Sequence, residues 1–263
     1  MAFDLDQFAE TSEPVKYEDL DFDSFETQPL DDQTLRSLRY MCDVEFHTSC
    51  FLRDMLVTPS HREEAAGGFM TMWNREEFWH GEALAAVLAR HGIVVDYDEL
   101  KAKRVKLGWS NALSSLKQSA MSNLVGTDFV AVHMTWGGAA NELSAVAAYR
   151  RLAAMTDHPA LSPLLKRIAQ QETRHVAFYT TQGRERLEAS ETARKLVRII
   201  LSKVWKPVGS GMMDETEVKH VMGHLFHGKL DELDKLDKRI QKLPPGLDGL
   251  TIFRNAFARL GIA

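Results

Sequence analysis

Two glutamate–histidine pairs, each three residues apart, carry the clearest chemistry in this sequence. Glu77 and His80 lie in REEFWHGEAL, and Glu172 and His175 lie in QQETRHVAFY. On a helix, a three-residue step returns to nearly the same face, so a carboxylate and an imidazole project side by side and one metal ion can take both. Spacing alone decides little. With 19 Glu and 10 His in 263 residues, about 0.7 such pairs arise by chance, and the chain holds a third, Glu217 and His220.

Geometry separates the three pairs. In dinuclear carboxylate bundles, two helices each supply a Glu-x-x-His pair and two others each supply a single glutamate. The single acids should therefore sit on otherwise apolar helical faces. Glu45 shares its face with Leu38, Met41, Cys42, Ser49 and Leu52. Glu142 lies with Ala139, Ala145, Val146 and Tyr149. A carboxylate on such a stripe is buried, and a buried anion protonates or finds a cation. Asp43, two residues before Glu45, competes for the same role.

The hairpins offer a second test. Antiparallel helices rise equally per residue, so ligands at one height place the turn near their sequence midpoint. For Glu45 and Glu77 the midpoint is position 61, beside Pro59; for Glu142 and Glu172 it is 157, beside Pro159. The segment from Glu77 to Glu142 then forms a long crossover. The expected ligand set is Glu45, Glu77, His80, Glu142, Glu172 and His175. Carboxylates and imidazoles suit two iron ions, with manganese or a mixed manganese–iron pair in reserve. Glu217 and His220, followed by His224 and His227, lie outside both hairpins and read as structural or as a peripheral metal contact. Glu76 and Glu82 flank the Glu77–His80 pair on other faces of the same helix and read as surface groups or as groups surrounding the ligands.

The elements that position these residues are helical throughout from Asp31, with apolar residues at three- and four-residue steps. Helices are expected over about 32–56, 61–91, 128–155 and 160–188, with a short helix in the 94–126 crossover. A basic amphipathic helix follows over about 191–206, then helical segments around ETEVKHVMGHLFHG and at the C-terminus. The fold class expected is all-α, a ferritin-like four-helix bundle with additional C-terminal helices. One domain covers 31–263, with its core at about 31–189 and an extension over 190–263.

Residues 1–30 form an acidic arm, either loosely attached or docked. Residues 1–32 carry eleven acids against Lys16 alone, leaving 31 basic and 26 acidic residues in the remainder. The body is thus mildly basic although the whole chain is at −5, and an acidic partner would meet the body. There is no basic-then-apolar leader and no long uncharged apolar run. Cys42 and Cys50, roughly 12 Å apart on one helix, are too far apart to bond to each other. Both features favour a cytoplasmic protein.

With these residues in place, the arrangement resembles the soluble acyl-carrier-protein desaturases, a family of diiron enzymes. EEFWHG is similar to that family's second-helix motif, QETRH to its fourth-helix motif, and KLPPGLDGL to a Leu-Pro-Pro segment near its C-terminus. The resemblance implies the same six ligands, a homodimer, a ferredoxin-like electron donor and O2-dependent desaturation of an acyl thioester. Gln171 stands where the family usually has an acid, Trp79 where it usually has Arg, and Ala145 where a threonine is common. Arg194, Lys195, Arg198, Lys203 and Lys206 line one helix as a landing strip for an acyl carrier protein. Two other readings of the same ligands are a diiron oxygenase that hydroxylates or N-oxygenates a small metabolite, and non-enzymatic iron storage or handling. Gly137, Gly138, Ala139 and Ala140, one turn before Glu142, either open a channel or let helices pack closely.

Overall fold

A computed structural model describes residues 3–110, 112–243 and 245–262. It is an all-α bundle, and among the described residues no helix is long and apolar enough to cross a membrane. The helices are α1 (Leu5–Thr11), α2 (Ser24–Thr27), α3 (Asp32–Met55), α4 (Glu64–Arg90), α5 (Tyr97–Ser110), α6 (Ala112–Val125) and α7 (Asp128–Val132). After α7 the helix continues as a π-helical segment, His133–Ala140. Then come α8 (Asn141–Thr156), α9 (Leu161–Ala189), α10 (Glu191–Lys203), α11 (Glu215–Phe226), α12 (Leu230–Gln241) and α13 (Ile252–Arg259). Where one short crossover helix was expected, the chain forms two of fourteen residues each, α5 and α6.

The chain divides into two compact units. One comprises Asp4–Leu124 and Tyr149–Ala169; the other comprises Met1–Phe3, Val125–Ala148 and Gln170–Ala263.

In the first unit, α3 and α4 form a tight hairpin. Asp31 starts α3 by accepting a hydrogen bond from the Thr34 N–H at 2.8 Å, an N-cap worth about 1 kcal/mol. Pro59 opens a short 3-10 turn between the two helices. The register is antiparallel: the Cys42 thiol donates to the Gly81 carbonyl at 3.4 Å, the Phe46 and Phe78 rings meet edge to face at 5.1 Å, and Asn74 donates to Thr48 at 3.0 Å. Leu38, Met41, Cys42 and Phe46 are buried on α3, and Phe69, Met70, Trp73, Leu84, Val87 and Leu88 on α4. Each buried aliphatic or aromatic side chain of this kind contributes about 1.5–3 kcal/mol.

The acidic arm docks onto this unit. Phe8, Val15 and Phe25 are buried, the Phe8 ring lies 5.1 Å from Phe69, and Phe25 stacks on His158 at 4.4 Å. Arg167 grips Asp19 with two hydrogen bonds of 2.6 and 2.7 Å. A few apolar side chains spaced among acids thus suffice to anchor the segment.

In the second unit, α10 packs on α7 and α12 on α13. Ser190 caps α10 by accepting from the Ala193 N–H at 3.1 Å. Asp237 of α12 caps α13, accepting from the N–H groups of Phe253 at 2.9 Å and Arg254 at 3.1 Å. Trp205 is buried, donates to Asn141 at 3.0 Å and meets the Phe253 ring at 4.8 Å. The extension therefore has a core of its own, tied to the first turn of α8.

Candidate metal centre

The first unit gathers three of the expected ligands. Glu45 on α3 and Glu77 and His80 on α4 are 5, 2 and 0 % exposed, and one ligand atom from each lies within 4.8 Å of the others. The hairpin register accounts for this, since it sets Glu45 opposite Glu77. His80 Nδ1 stands 3.6 Å from Glu77 Oε2, as expected for neighbours one turn apart. Tyr149 of α8, itself buried, donates its phenolic hydrogen to Glu45 Oε1.

The second unit gathers the other three. Glu142 on α8 and Glu172 and His175 on α9 are buried, and their ligand atoms likewise lie within 4.8 Å of one another. His175 Nδ1 is 3.0 Å from Glu172 Oε2 and 3.8 Å from Glu142 Oε2. Within the first unit, Ser162 donates to the Ala153 carbonyl at 2.7 Å; within the second, Glu142 lies by His175.

Each set of two carboxylates and one imidazole suits a divalent ion. Two ionised carboxylates offset its charge, and a neutral imidazole completes a hard, oxygen-rich donor set. A thiol is not offered: Cys42 has its pKa pushed up to about 12 by burial, with Asp43 adding to the shift.

Asp43 does not compete with Glu45. Its carboxylate is buried between Arg39 at 3.2 Å and Lys103 at 3.1 Å, and these cations already neutralise it. A separation of two residues turns the side chains about 200° apart on a helix, which is why Asp43 meets the α5 lysine and Glu45 does not.

The remaining candidates fall away from the ligand sets. Among the described residues, no group of three close metal-ligating side chains includes Glu217, His220, His224 or His227. Glu82 is exposed, whereas Glu76 is fully buried on α4. A signal for the burial of Glu76 was present in the sequence, since its neighbours at three- and four-residue steps are Met72, Trp73, Trp79 and His80, a largely apolar face. Met41, Met70 and Met134 are core side chains, and so are Trp73 and Tyr179.

Close packing explains the small residues before Glu142. A Cβ placed on Gly138 would lie 1.7 Å from Cγ of Tyr179, so the glycine admits the α9 ring against the backbone. The adjoining π-helical stretch, which adds a residue to the helical turn, delivers Glu142 to the α9 side. Periodicity reading missed it, since the apolar run His133–Ala140 has no polar face to reveal a change of pitch.

Much of the basic strip is engaged. Arg194 donates to the Leu187 carbonyl at 2.7 Å, and Arg198 to the carbonyls of Gly246 and Asp248 at 3.0 and 2.9 Å. Lys195 pairs with Glu191 at 2.7 Å. Lys203 is exposed, and Lys206 lines a cavity of about 480 Å3 together with Arg259 and Glu215. The two arginines thus staple α10 to its surroundings.

In comparisons with known proteins, no family model, curated protein or solved structure matches the chain. The likeness to acyl-carrier-protein desaturases therefore rests on the motifs and the ligand sets alone.

Proposed function

We propose that the chain is an O2-dependent oxidase whose two ligand sets form one dinuclear iron centre acting on an aliphatic or acyl substrate. The observation that carries this reading is the burial of two equivalent sets, Glu45–Glu77–His80 and Glu142–Glu172–His175. Each set is built across a helical hairpin from one lone glutamate and one Glu-x-x-His pair. Four carboxylates and two imidazoles neutralise two divalent ions, and a surface site would not need such burial.

In such a centre Glu45, Glu77 and His80, with Glu142, Glu172 and His175, would hold the two ions, each imidazole standing one turn from its own glutamate.

Two reduced irons would supply electrons for reducing dioxygen and so the oxidising power to remove hydrogen from an unactivated carbon. The chain's own residues do the rest. The carboxylates would set charge and orientation, and burial among aromatic side chains such as Phe46, Trp73 and Tyr149 keeps bulk water from the first set. An acyl carrier protein, a ferredoxin-like donor and a homodimer belong to this reading as proposed partners. Lys203 and Lys206, both exposed, are residues of the basic strip open to an acidic carrier.

The helices beyond α9 favour an oxidase over iron storage, because a bare metal-storing bundle has no use for α10–α13 and their separate core. The test is product analysis. Iron-loaded protein, a chemical or ferredoxin reductant and acyl thioesters should yield a product lighter by two hydrogens. A product heavier by one oxygen would favour a hydroxylase or N-oxygenase, and stoichiometric iron uptake without any product would reject the enzyme reading.

A further inference from the structure

We propose that Trp205 is a positioning residue for Glu142: by holding Asn141 it pins the end of the π-helical segment and so fixes the helical face on which Glu142 meets Glu172 and His175. The inference rests on the reading above that these three side chains hold an ion. Asn141, Glu142, Glu172, His175 and Trp205 all belong to the second unit.

Asn141 stands where two helical patterns meet. Its backbone N–H reaches the carbonyls of Trp136, five residues back, and of Gly138, three residues back, and from Asn141 onward the chain is α-helical. A bond over five residues is the π pattern, which is rare and is found mostly as short interruptions of α-helices. Its placement decides where the next residue points. If the segment reverted to α pitch, the helix after it would turn by one residue, about 100°, relative to the helix before it. That turn would carry the Glu142 carboxylate away from His175, whose Nδ1 stands 3.8 Å from Glu142 Oε2.

The segment is held at two places. Midway, Gly138 lies under Tyr179, and Gly183 of α9 comes so close that an added Cβ would fall 3.2 Å from Thr135 Cγ2. At its end, the Trp205 indole N–H donates to Asn141 Oδ1 at 3.0 Å. Trp205 is suited to be the fixed point. It is 1 % exposed, its ring meets Phe253 edge to face at 4.8 Å, and its carbonyl accepts from Arg259 at 3.2 Å. An indole has a single donor and no acceptor, and when buried it keeps its partner. The C-terminal helices thereby set the phase of α8 at Glu142.

The test reads metal and backbone separately. Trp205→Phe removes the donor and keeps a ring against Phe253, whereas Asn141→Leu removes the acceptor and keeps the indole. In anaerobic ferrous titrations each variant should bind one ion as the wild type does and the other about ten-fold more weakly. In the metal-free proteins, amide hydrogen exchange should quicken over residues 133–141 and stay unchanged in the α3–α4 hairpin. The double variant should be no weaker than either single one, because both break the same bond. Unaltered ferrous affinity in both variants, additive losses in the double variant, or exchange quickened evenly along the chain would each overturn the role of Trp205. A wild type that takes up no metal would instead overturn the metal reading beneath it, and exchange in the metal-free proteins would still decide whether Trp205 pins the segment.

Discussion

Gly138 lies directly under the ring of Tyr179, so close that an added Cβ would fall 1.7 Å from Cγ and 2.3 Å from Cβ of that tyrosine. Because the obstructing atoms include the root of the side chain, a rotamer change cannot clear them. Gly138→Ala should destabilise the protein by about 3 kcal/mol or more, measured by denaturant unfolding. Gly67→Ala is the control. Its Cβ would meet only the His61 carbonyl at 3.5 Å, so helix propensity should make it neutral or stabilising by about 0.5–1 kcal/mol.

Asp43 and Glu45 should separate cleanly as variants. Asp43→Ala removes the carboxylate shared by Arg39 and Lys103, which are 25 and 28 % exposed at their side chains, while Arg39 keeps Glu99 at 3.1 Å. Solvent screening limits the loss to about 1–2 kcal/mol of stability, with metal stoichiometry unchanged. Glu45→Ala should lower metal stoichiometry while leaving the helical signal in circular dichroism intact. Equal metal loss in both would mean that Asp43 also reaches the ion.

The two carboxylates also show what the sequence could convey. The α3–α4 hairpin was legible because Pro59 and the apolar stripes fix an antiparallel register, and the contacts Cys42–Gly81 and Phe46–Phe78 follow it. Helical spacing likewise led to both ligand sets. It could not choose between Asp43 and Glu45, since the deciding cation, Lys103, comes from a helix sixty residues away. Nor could it pair Tyr149 with Glu45, because a phenol on an apolar face gives no sign of which acceptor it meets. The π-helical stretch and the docked arm were hidden for a related reason: each depends on tertiary packing of a few side chains, Tyr179 on Gly138 in one case and Phe8 and Phe25 in the other.

Acid should destabilise the protein through His133. Burial, aided by Arg186, pushes its pKa down to about 3 from an ordinary 6.5. The unfolded chain therefore takes up a proton that the folded chain refuses. The neutral imidazole's stability is fully present above pH 6.5 and falls by about 1.4 kcal/mol per pH unit as the pH drops towards 3. Unfolding free energies of metal-free wild type and His133→Leu, compared from pH 7 to 4.5, should diverge with this slope. His47 and His158 are shifted the same way but act equally in both proteins. Parallel curves would show that His133 is not the group responsible.

The thiols should differ in reactivity. Cys42 is buried with its pKa pushed up to about 12, whereas Cys50 is half-buried and its pKa is raised by burial. Since the thiolate is the nucleophile, a disulfide reagent at pH 8 should label Cys50 slowly and leave Cys42 untouched until the chain is denatured. Native labelling of Cys42, read by peptide mass, would contradict the packing of Cys42 against Gly81.

The most direct test of the whole account is the number and coupling of metal ions per chain after anaerobic ferrous loading and desalting. The account predicts two ions per chain, magnetically coupled, and loss of two-ion loading in Glu142→Ala with helical content preserved. Fewer than two ions in the wild type, two ions without coupling, or unaltered loading in Glu142→Ala would contradict it.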